Sequence, residues 1–533
     1  MVDRFSDLSV LPKEIGASVA TDQLRPADEQ WLSSITAVET WIERHSTVLL
    51  YSFSLIFFGI ACVIASRRLF WLDELYSFYL ARLPSVRAIA TALLNAGDQS
   101  APLDLILRHW SQLLFGANEF GTRFPSTLGF PIASISVFWF VKRRVDSLSA
   151  FIAMFALFAT SGFFYAFEAF AFEARAYSLL LGFSALALLS WQSLAMGRPR
   201  RPLWAFALLA ALAISTTVHY YGILIYLPLT AGELIRIIRR RRIDWLVVAA
   251  MIAGAAAELF NFSHMMAARA FSRYLSRSAD AVDLVNMYAV LFENAWYVLL
   301  MLLVVVGLLQ FRPATAGRGH RPLHGFPVWE RVAVLSTFLL PFACLLLARF
   351  TGSGMYPRYA LITVIGGCIL TTMAASAMST TYRLSLGICL VVFAAVTMAR
   401  GISKSGNDTV PDREMVLAAV QDTSLPLVCA DPHKFFPWNY YLPEVRGRVS
   451  FLADPARGMK WVGQSGRDLA ALAMKDFIPG PVVPYETFVR DHPRFMVLDG
   501  GLWLMSQLFA DDATVTLRQL RGRVTVYEVE MKR

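Results

Sequence analysis

Residues 46–66 read STVLLYSFSLIFFGIACVIAS, and residues 67–76 continue RRLFWLDELY. The first run is long and apolar enough to cross a bilayer as a helix. The second puts two adjacent acids, Asp73 and Glu74, just past its end. Carboxylates this close to hydrocarbon lose solvation, which pushes their pKa values upward. An interfacial helix cap or a salt bridge to Arg67 or Arg68 accounts for them without chemistry. A catalytic site accounts for them equally well.

The rest of the chain repeats the first run's character. Of 533 residues, 56% are hydrophobic and 17% charged, where a soluble domain has close to half and about a quarter. The excess falls in runs of roughly 16–24 residues, the length of membrane helices. We read about eleven spans: 46–66, 124–141, 148–167, 176–196, 203–219, 220–235, 245–263, 286–310, 329–349, 359–378 and 384–400. Lipid leaves backbone polar groups no outside partner, so these spans are helices. The fold class is therefore a polytopic α-helical membrane protein. Residues 1–45 are polar and rich in Asp and Glu, without the basic start and cleavage pattern of a signal peptide.

A net charge of +10 invites a nucleic-acid partner, but its placement argues against one. The basic clusters fall between alternate spans: Lys142-Arg143-Arg144, then Arg198, Arg200 and Arg201, then Arg236 with 239–242, then Arg312, Arg318 and Arg321. This is the positive-inside pattern, so those loops and the N-terminus face the cytoplasm. The loop 67–123 and everything after about residue 401 then face outward. The expected location is the inner membrane, with membrane lipids as the surroundings and a periplasmic C-terminal region. The five cysteines give no CxxC and no zinc-type spacing; four lie in spans and Cys429 stands alone.

Two regions outside the membrane carry pattern. The loop 67–123 reads as two short amphipathic helices. From Pro102 onward, Leu103, Ile106, Leu107, Trp110, Leu113 and Leu114 share one helix face, with Asp104, Arg108 and Gln112 on the other. Such a helix lies along the membrane surface or packs against the bundle. The region 402–533 has strand-like runs at 427–429, 495–498 and 524–527 and helical stretches near 413–420 and 466–474, which predicts a small α/β domain.

Charged residues in or beside spans are functional candidates by default. Glu168, Glu173, Arg175, His219, Glu258, His264, Glu293 and Arg358 all fall toward the outer ends, and Glu233 is an inner exception. Helix ends also tolerate charge for no functional reason. A transporter or flippase places its polar groups near the midplane, often within internal repeats. No repeat is evident, and an interfacial site beneath a structured loop fits the distribution better.

The ordered set Trp71-Leu72-Asp73-Glu74, Asp98-Gln99-Ser100-Ala101-Pro102-Leu103 and Leu114-Phe115-Gly116 with Glu119 to Ser126 resembles the first outer loop of GT-C glycosyltransferases. The branch it resembles holds the protein mannosyltransferases, aminoarabinose transferases and RgtA/B/C/D-like enzymes. Glu173-Ala174-Arg175-Ala176-Tyr177 resembles their Glu-x-Arg-x-Tyr motif, and His219-Tyr220-Tyr221-Gly222 and Arg358-Tyr359 sit where the family often has similar residues. The likeness covers roughly 46–400. Ala101 and Leu103-Asp104 depart from it, where the family commonly has a second proline and an aromatic pair.

The resemblance implies a glycosyltransferase that inverts the anomeric centre, moving a hexose or pentose from a polyprenyl-phosphate donor to an envelope glycan, lipid or protein. Asp73 matches the family's catalytic acid and is the expected base, with Glu74 orienting it, binding sugar or joining a metal site. Arg175, Arg123 and Arg358 are the expected phosphate contacts, since Arg suits phosphate geometry; for Arg123 a structural role in capping the second span is an equal alternative. Tyr177 and His219 are further donor contacts, and Asp98 and Glu173 belong to the acceptor or loop side. Asp73, Glu74, Asp98, Glu173 and His219 are also the residues from which a divalent metal site would have to be built, although no local spacing demands one.

Overall fold

The computed structural model describes residues 26–95, 98–160, 170–272, 274, 279–292, 325–351, 354–521 and 524–532. Apolar sequence becomes helix in the described part of the first three-quarters of the chain. Among the described residues, seven helices are long and apolar enough to cross a membrane, or eight if a bent pair is one span, and shorter apolar helices accompany them. Every predicted span coincides with helix, although 148–167 and 286–310 run into segments outside the described residues. The first helix, Pro26–Arg67, begins well inside the polar N-terminal segment. The bent pair is Val328–Phe338 and Leu340–Phe350, meeting at 50°. Pro341 sits at the bend, where it has no N–H to donate and its ring displaces the preceding turn.

The bundle is held by one continuous apolar core. At its centre the helices Gly129–Lys142 and Tyr177–Ala195 touch backbone to backbone. A Cβ on Gly129 would stand 2.0 Å from the Ser178 carbonyl oxygen, so only glycine permits the contact. One end of the bundle is laced by ion pairs that join distant helices. Arg383 binds Asp146 at 2.6 Å and Glu39 at 3.0 Å, Arg144 binds Glu330, and Arg236 binds Glu233 at 2.7 Å and Asp244 at 3.1 Å. Glu233, the inner exception, also accepts a hydrogen bond from Trp191 Nε1 at 2.9 Å.

The opposite end carries the loop. It holds three helices rather than the expected two: Leu72–Ala81, Val86–Leu94 and Pro102–Phe115. Of these, Leu72–Ala81 is the least amphipathic. It is buried on nearly every face, so it has no amphipathic period to detect.

The helix Pro102–Phe115 is amphipathic in the opposite sense to a soluble one. Its polar face is inside: Asp104 and Arg108 are wholly buried, and Gln112 nearly so. Arg108 donates to both Asp104 oxygens (3.0 and 2.7 Å), to the Thr122 carbonyl (2.8 Å) and to Ser126 Oγ (3.1 Å). Its apolar tip is outside, with Leu113 72% and Leu114 78% exposed.

The C-terminal region is an α/β layer with a six-stranded sheet in the order β3-β2-β1-β4-β6-β5. The strands are β1 (Leu427–Cys429), β2 (Val449–Ala453), β3 (Val482–Pro484), β4 (Arg494–Leu498), β5 (Thr514–Arg521) and β6 (Val524–Glu530). β1 to β4 pair in parallel, and β4, β6 and β5 pair antiparallel. β1 is buried at all three residues, as a central parallel strand covered on both faces should be. The predicted strands and the helices Arg413–Asp422 and Gly466–Ala473 lie where the sequence put them.

This layer and the loop share a second apolar core. Tyr76 meets Phe436 edge to face with centroids 5.0 Å apart, and Phe78 meets Tyr440 at 5.0 Å. Tyr441 Oη accepts from the Phe70 amide at 2.6 Å and donates to Glu119 at 2.9 Å. The helix bearing Asp73 and Glu74 is thereby clasped between bundle and sheet.

Candidate active site

The two adjacent acids have separate fates. They occupy the first turn of the helix Leu72–Ala81, where the macrodipole favours negative charge. Consecutive helical residues point about 100° apart, so the carboxylates diverge.

Glu74 turns inward. Both of its oxygens meet Arg123, at 2.6 Å from Nε and 2.6 Å from Nη2. The Ala174 amide donates to Oε1 at 2.7 Å, and the Trp71 amide donates to Oε2 at 3.4 Å. Burial alone would raise this carboxyl, but the Arg123 guanidinium holds it below its ordinary value.

Arg123 uses its remaining N–H groups on the carbonyls of Ala65 (3.0 Å), Arg68 (2.5 Å) and Leu69 (2.9 Å). Its five donors are all engaged and its side chain is fully buried. In this arrangement Arg123 presents no N–H to a phosphate. It ties the loop to the end of the first helix, a structural role different from the cap on the second span considered in the sequence.

Asp73 turns outward and is only half-buried. Among the described residues none donates a hydrogen bond to its carboxylate. Its backbone carbonyl accepts from Ser77 Oγ at 3.2 Å and from Arg175 Nη1 at 3.4 Å.

Arg175 stands beside it, in the turn before Tyr177–Ala195. It donates to Asp98 Oδ2 at 2.6 Å and to Ser77 Oγ at 3.3 Å. Burial weakens its charge, but the carboxylates of Asp98 and Asp73 more than offset this and keep it protonated. Asp98 also accepts from the Gln99 amide (2.7 Å) and from Ser100 Oγ (2.8 Å).

The second arginine, Arg358, lies over three tyrosine rings: Tyr356 at 4.8 Å, Tyr177 at 5.8 Å and Tyr359 at 5.9 Å. His219 closes the cluster. Its ring is 5.4 Å from Tyr177 and 5.9 Å from Tyr359. The Tyr221 amide donates to His219 Nδ1 at 3.2 Å, which leaves the proton of the neutral ring on Nε2. The charge of Asp73 reaches Tyr177 and Tyr359 as well as Arg175, so these groups lie near one another.

The structure thus gathers Asp73, Arg175, Tyr177, His219 and Arg358, with Asp98 on Arg175. Glu173 is buried in the same turn as Arg175. His264 reaches the loop instead, through the Ala90 carbonyl at 3.2 Å. Glu168 and Glu293 lie outside the described residues. Tyr356 and Ser77 were not singled out in the sequence. Tyr356 flanks Arg358 closely enough to have been noticed, whereas nothing local marks Ser77.

Among the described residues no three His, Cys, Asp or Glu side chains form a metal-binding group. Glu74 is committed to Arg123 and Asp98 to Arg175.

No family model and no curated protein sequence matches the chain. Solved structures do. The chain is similar to ArnT from Cupriavidus metallidurans in the apo state, at a TM-score of 0.53 and 13% identity, over 92% of this chain and 98% of that one. The chain has the GT-C fold. A second ArnT structure, with undecaprenyl phosphate bound, matches at a TM-score of 0.49 and 15% identity over 90% of this chain and 97% of that one. The oligosaccharyltransferase AglB from Archaeoglobus fulgidus, in complex with an inhibitory peptide and a dolichol-phosphate, matches at 0.43 and 11% over 85% and 70%. The GT-C chain described here is accordingly a multi-pass membrane protein with a small C-terminal α/β region.

Proposed function

We propose that this chain is an inverting glycosyltransferase. It moves a sugar from a polyprenyl-phosphate donor to an acceptor hydroxyl at the outer face of the membrane. The observation that carries this reading is the divergence of the two acids. Glu74 is consumed by Arg123, whereas Asp73 keeps an uncommitted carboxylate beside Arg175.

In this reading the acceptor O–H approaches Asp73, which takes the proton as the oxygen attacks the anomeric carbon. The bond from that carbon to the phosphate oxygen breaks, and its electron pair leaves with the lipid phosphate. The leaving group is a stable anion and needs positive charge more than a proton. Arg175 and Arg358 supply it, and His219 Nε2–H and the Tyr177 hydroxyl are donors in the same space. Glu74 and Arg123 act as positioning residues: they fix the turn from which Asp73 projects. No step is routed through a metal. In this reading the ion-paired end of the bundle and the N-terminus face the cytoplasm, and the loop and sheet face outward, as the positive-inside pattern of the basic loops suggests. The shared GT-C fold supports the reading as an analogy of architecture, not of substrate.

The test is reconstitution. Purified protein in vesicles, given a polyprenyl-phosphate sugar and a delipidated envelope extract, should form a new glycosidic bond with inverted anomeric configuration. Asp73→Asn should abolish it. Near-normal transfer by that variant refutes the mechanism. Movement of the lipid-linked sugar across the bilayer without any new bond refutes the activity.

A further inference from the structure

The sheet has a topological switch point. From β1 the chain winds outward to β2 and β3, then crosses back to β4 on the other side of β1. In open parallel sheets such a reversal opens a crevice at the carboxyl ends of the two strands, and ligands bind there. This sheet has that crevice, with a cavity of about 440 Å³. The size is within the range of small-molecule sites.

The crevice is kept open by the chain's own turns. After β4, Gly501 adopts φ +57°, and a Cβ there would stand 3.2 Å from the Ala430 carbonyl oxygen. The helices Pro432–Tyr441, Gly466–Ala473 and Gly501–Ala510 all begin at its rim. Ser465 precedes the second of them, yet its hydroxyl does not cap that helix. Ser465 Oγ is a buried polar atom that no described residue satisfies, and the buried Trp503 indole lies beside Asp468. Both residues line the cavity.

The lining alternates acceptors and donors. Asp431, Asp468 and Asp499 face Arg467, Gln464 and the Trp503 indole. Asp499 is paired with Lys434, and Asp431 accepts from the His433 amide at 2.9 Å. The carboxylates offset the helix N-termini and Arg467, so the site does not concentrate one sign of charge. A ligand whose hydroxyls both donate and accept, and whose ring has an apolar face, suits this lining.

The crevice also adjoins the candidate active site. The amides of Ser465 and Gly466 donate to the Tyr274 carbonyl, at 2.8 and 3.1 Å, which fixes the rim to the bundle. The charge of Asp73 acts on His433 at the crevice, and those of Asp73, Arg467 and Asp468 all act on the Tyr76 hydroxyl. Tyr76 lies one turn after Asp73 and its hydroxyl is buried without a partner among the described residues.

We propose that the crevice between β1 and β4 is the acceptor subsite: it holds a neutral saccharide unit of the acceptor and directs the adjoining hydroxyl past Tyr76 to Asp73. The assignment rests on the transferase reading for its purpose, but binding is measurable without transfer.

The full-length protein in lipid nanodiscs, free of sugar detergents, should show saturation-transfer NMR signals with at least one of cellobiose, chitobiose and maltose. Arg467→Ala and Gln464→Ala, both at exposed positions of the rim, should each weaken that binding by about tenfold, the value of a charged or bidentate hydrogen bond. In the transfer assay the same variants should raise the acceptor KM and leave the donor KM unchanged. The proposal is overturned if none of the three disaccharides binds, or if binding survives both substitutions. It is also overturned if only glucose 6-phosphate binds, in a salt-sensitive way, or if variants that have lost binding keep a normal acceptor KM. A failure of Asp73→Asn to stop transfer strikes the mechanism instead, and leaves the disaccharide signals as they are.

Discussion

Glu74 and Arg123 meet edge to edge, with two contacts of 2.6 Å and side chains that are 1% and 0% exposed. The pair is parallel and bidentate, and carbonyls from the end of the first helix occupy the arginine's other donors. Removing one partner strands a buried charge. Glu74→Gln or Arg123→Ala should therefore destabilise the protein by about 3–5 kcal/mol, seen as a lower thermal midpoint in detergent. Loss of activity without loss of stability would instead place the pair in contact with substrate.

Asp73→Asn is expected to behave in the opposite way. Its carboxylate accepts no hydrogen bond among the described residues, so stability should change by at most about 1 kcal/mol, the value of a charge in the first turn of a helix. Transfer should fall by about 10²–10⁴-fold, the usual contribution of a positioned base. Parallel melting and product assays of the two adjacent substitutions separate the roles.

Asp98 competes for Arg175. Its 2.6 Å ion pair occupies the guanidinium that the donor phosphate is proposed to use. Asp98→Asn should lower the KM for the polyprenyl-phosphate sugar by about tenfold, one charged hydrogen bond's worth. Arg175→Ala should raise it by at least as much. Unchanged donor KM in both variants would remove Arg175 from the phosphate site.

The uncovered leucines of the helix Pro102–Phe115 should sit in lipid. A spin label at Leu113→Cys should be relaxed by oxygen more than by a water-soluble nickel complex. Replacing both Leu113 and Leu114 with Asp should release the helix tip, since a buried leucine contributes about 1.5–3 kcal/mol. A label accessible to nickel would show that another protein surface, or water, covers this face.

Asp468 gives the α/β layer a pH dependence. Burial and the nearby Asp454 push its carboxyl up to about 7. The folded state then keeps a proton that the unfolded chain releases near pH 4. Its contribution to stability is greatest in acid and is lost as pH rises through about 7. Asp468→Asn should flatten that part of the stability profile, measured by melting between pH 5 and 8.

What the sequence revealed follows from which signals are local. Span positions rest on composition, and each of them holds helix. The strands at 427–429 and 495–498 rest on buried β-branched and aromatic runs, and they too were legible. The helix Leu72–Ala81 was not, because burial on all sides erases periodicity. The polar face Asp104, Arg108 and Gln112 was found as a face, but its direction was not. Which side of an amphipathic helix meets protein depends on what lies beyond the other side, and in a membrane that is lipid. The separation of Asp73 from Glu74 was also only partly visible. Adjacency in sequence says the side chains diverge, but not which one meets Arg123, 49 residues away.

The second apolar core has a consequence for how this protein is made. Phe70 and Tyr441 are joined across 371 residues. The loop helix that carries Asp73 leaves the ribosome early, yet the surface that clasps it belongs to the last quarter of the chain. Contacts of such long sequence separation form late. The helix must wait, exposed beside the bilayer, until the sheet has been synthesised and docked. The proposed base is then set in place at the final step of assembly, so a truncated or unfinished chain should insert in the membrane without a formed candidate site.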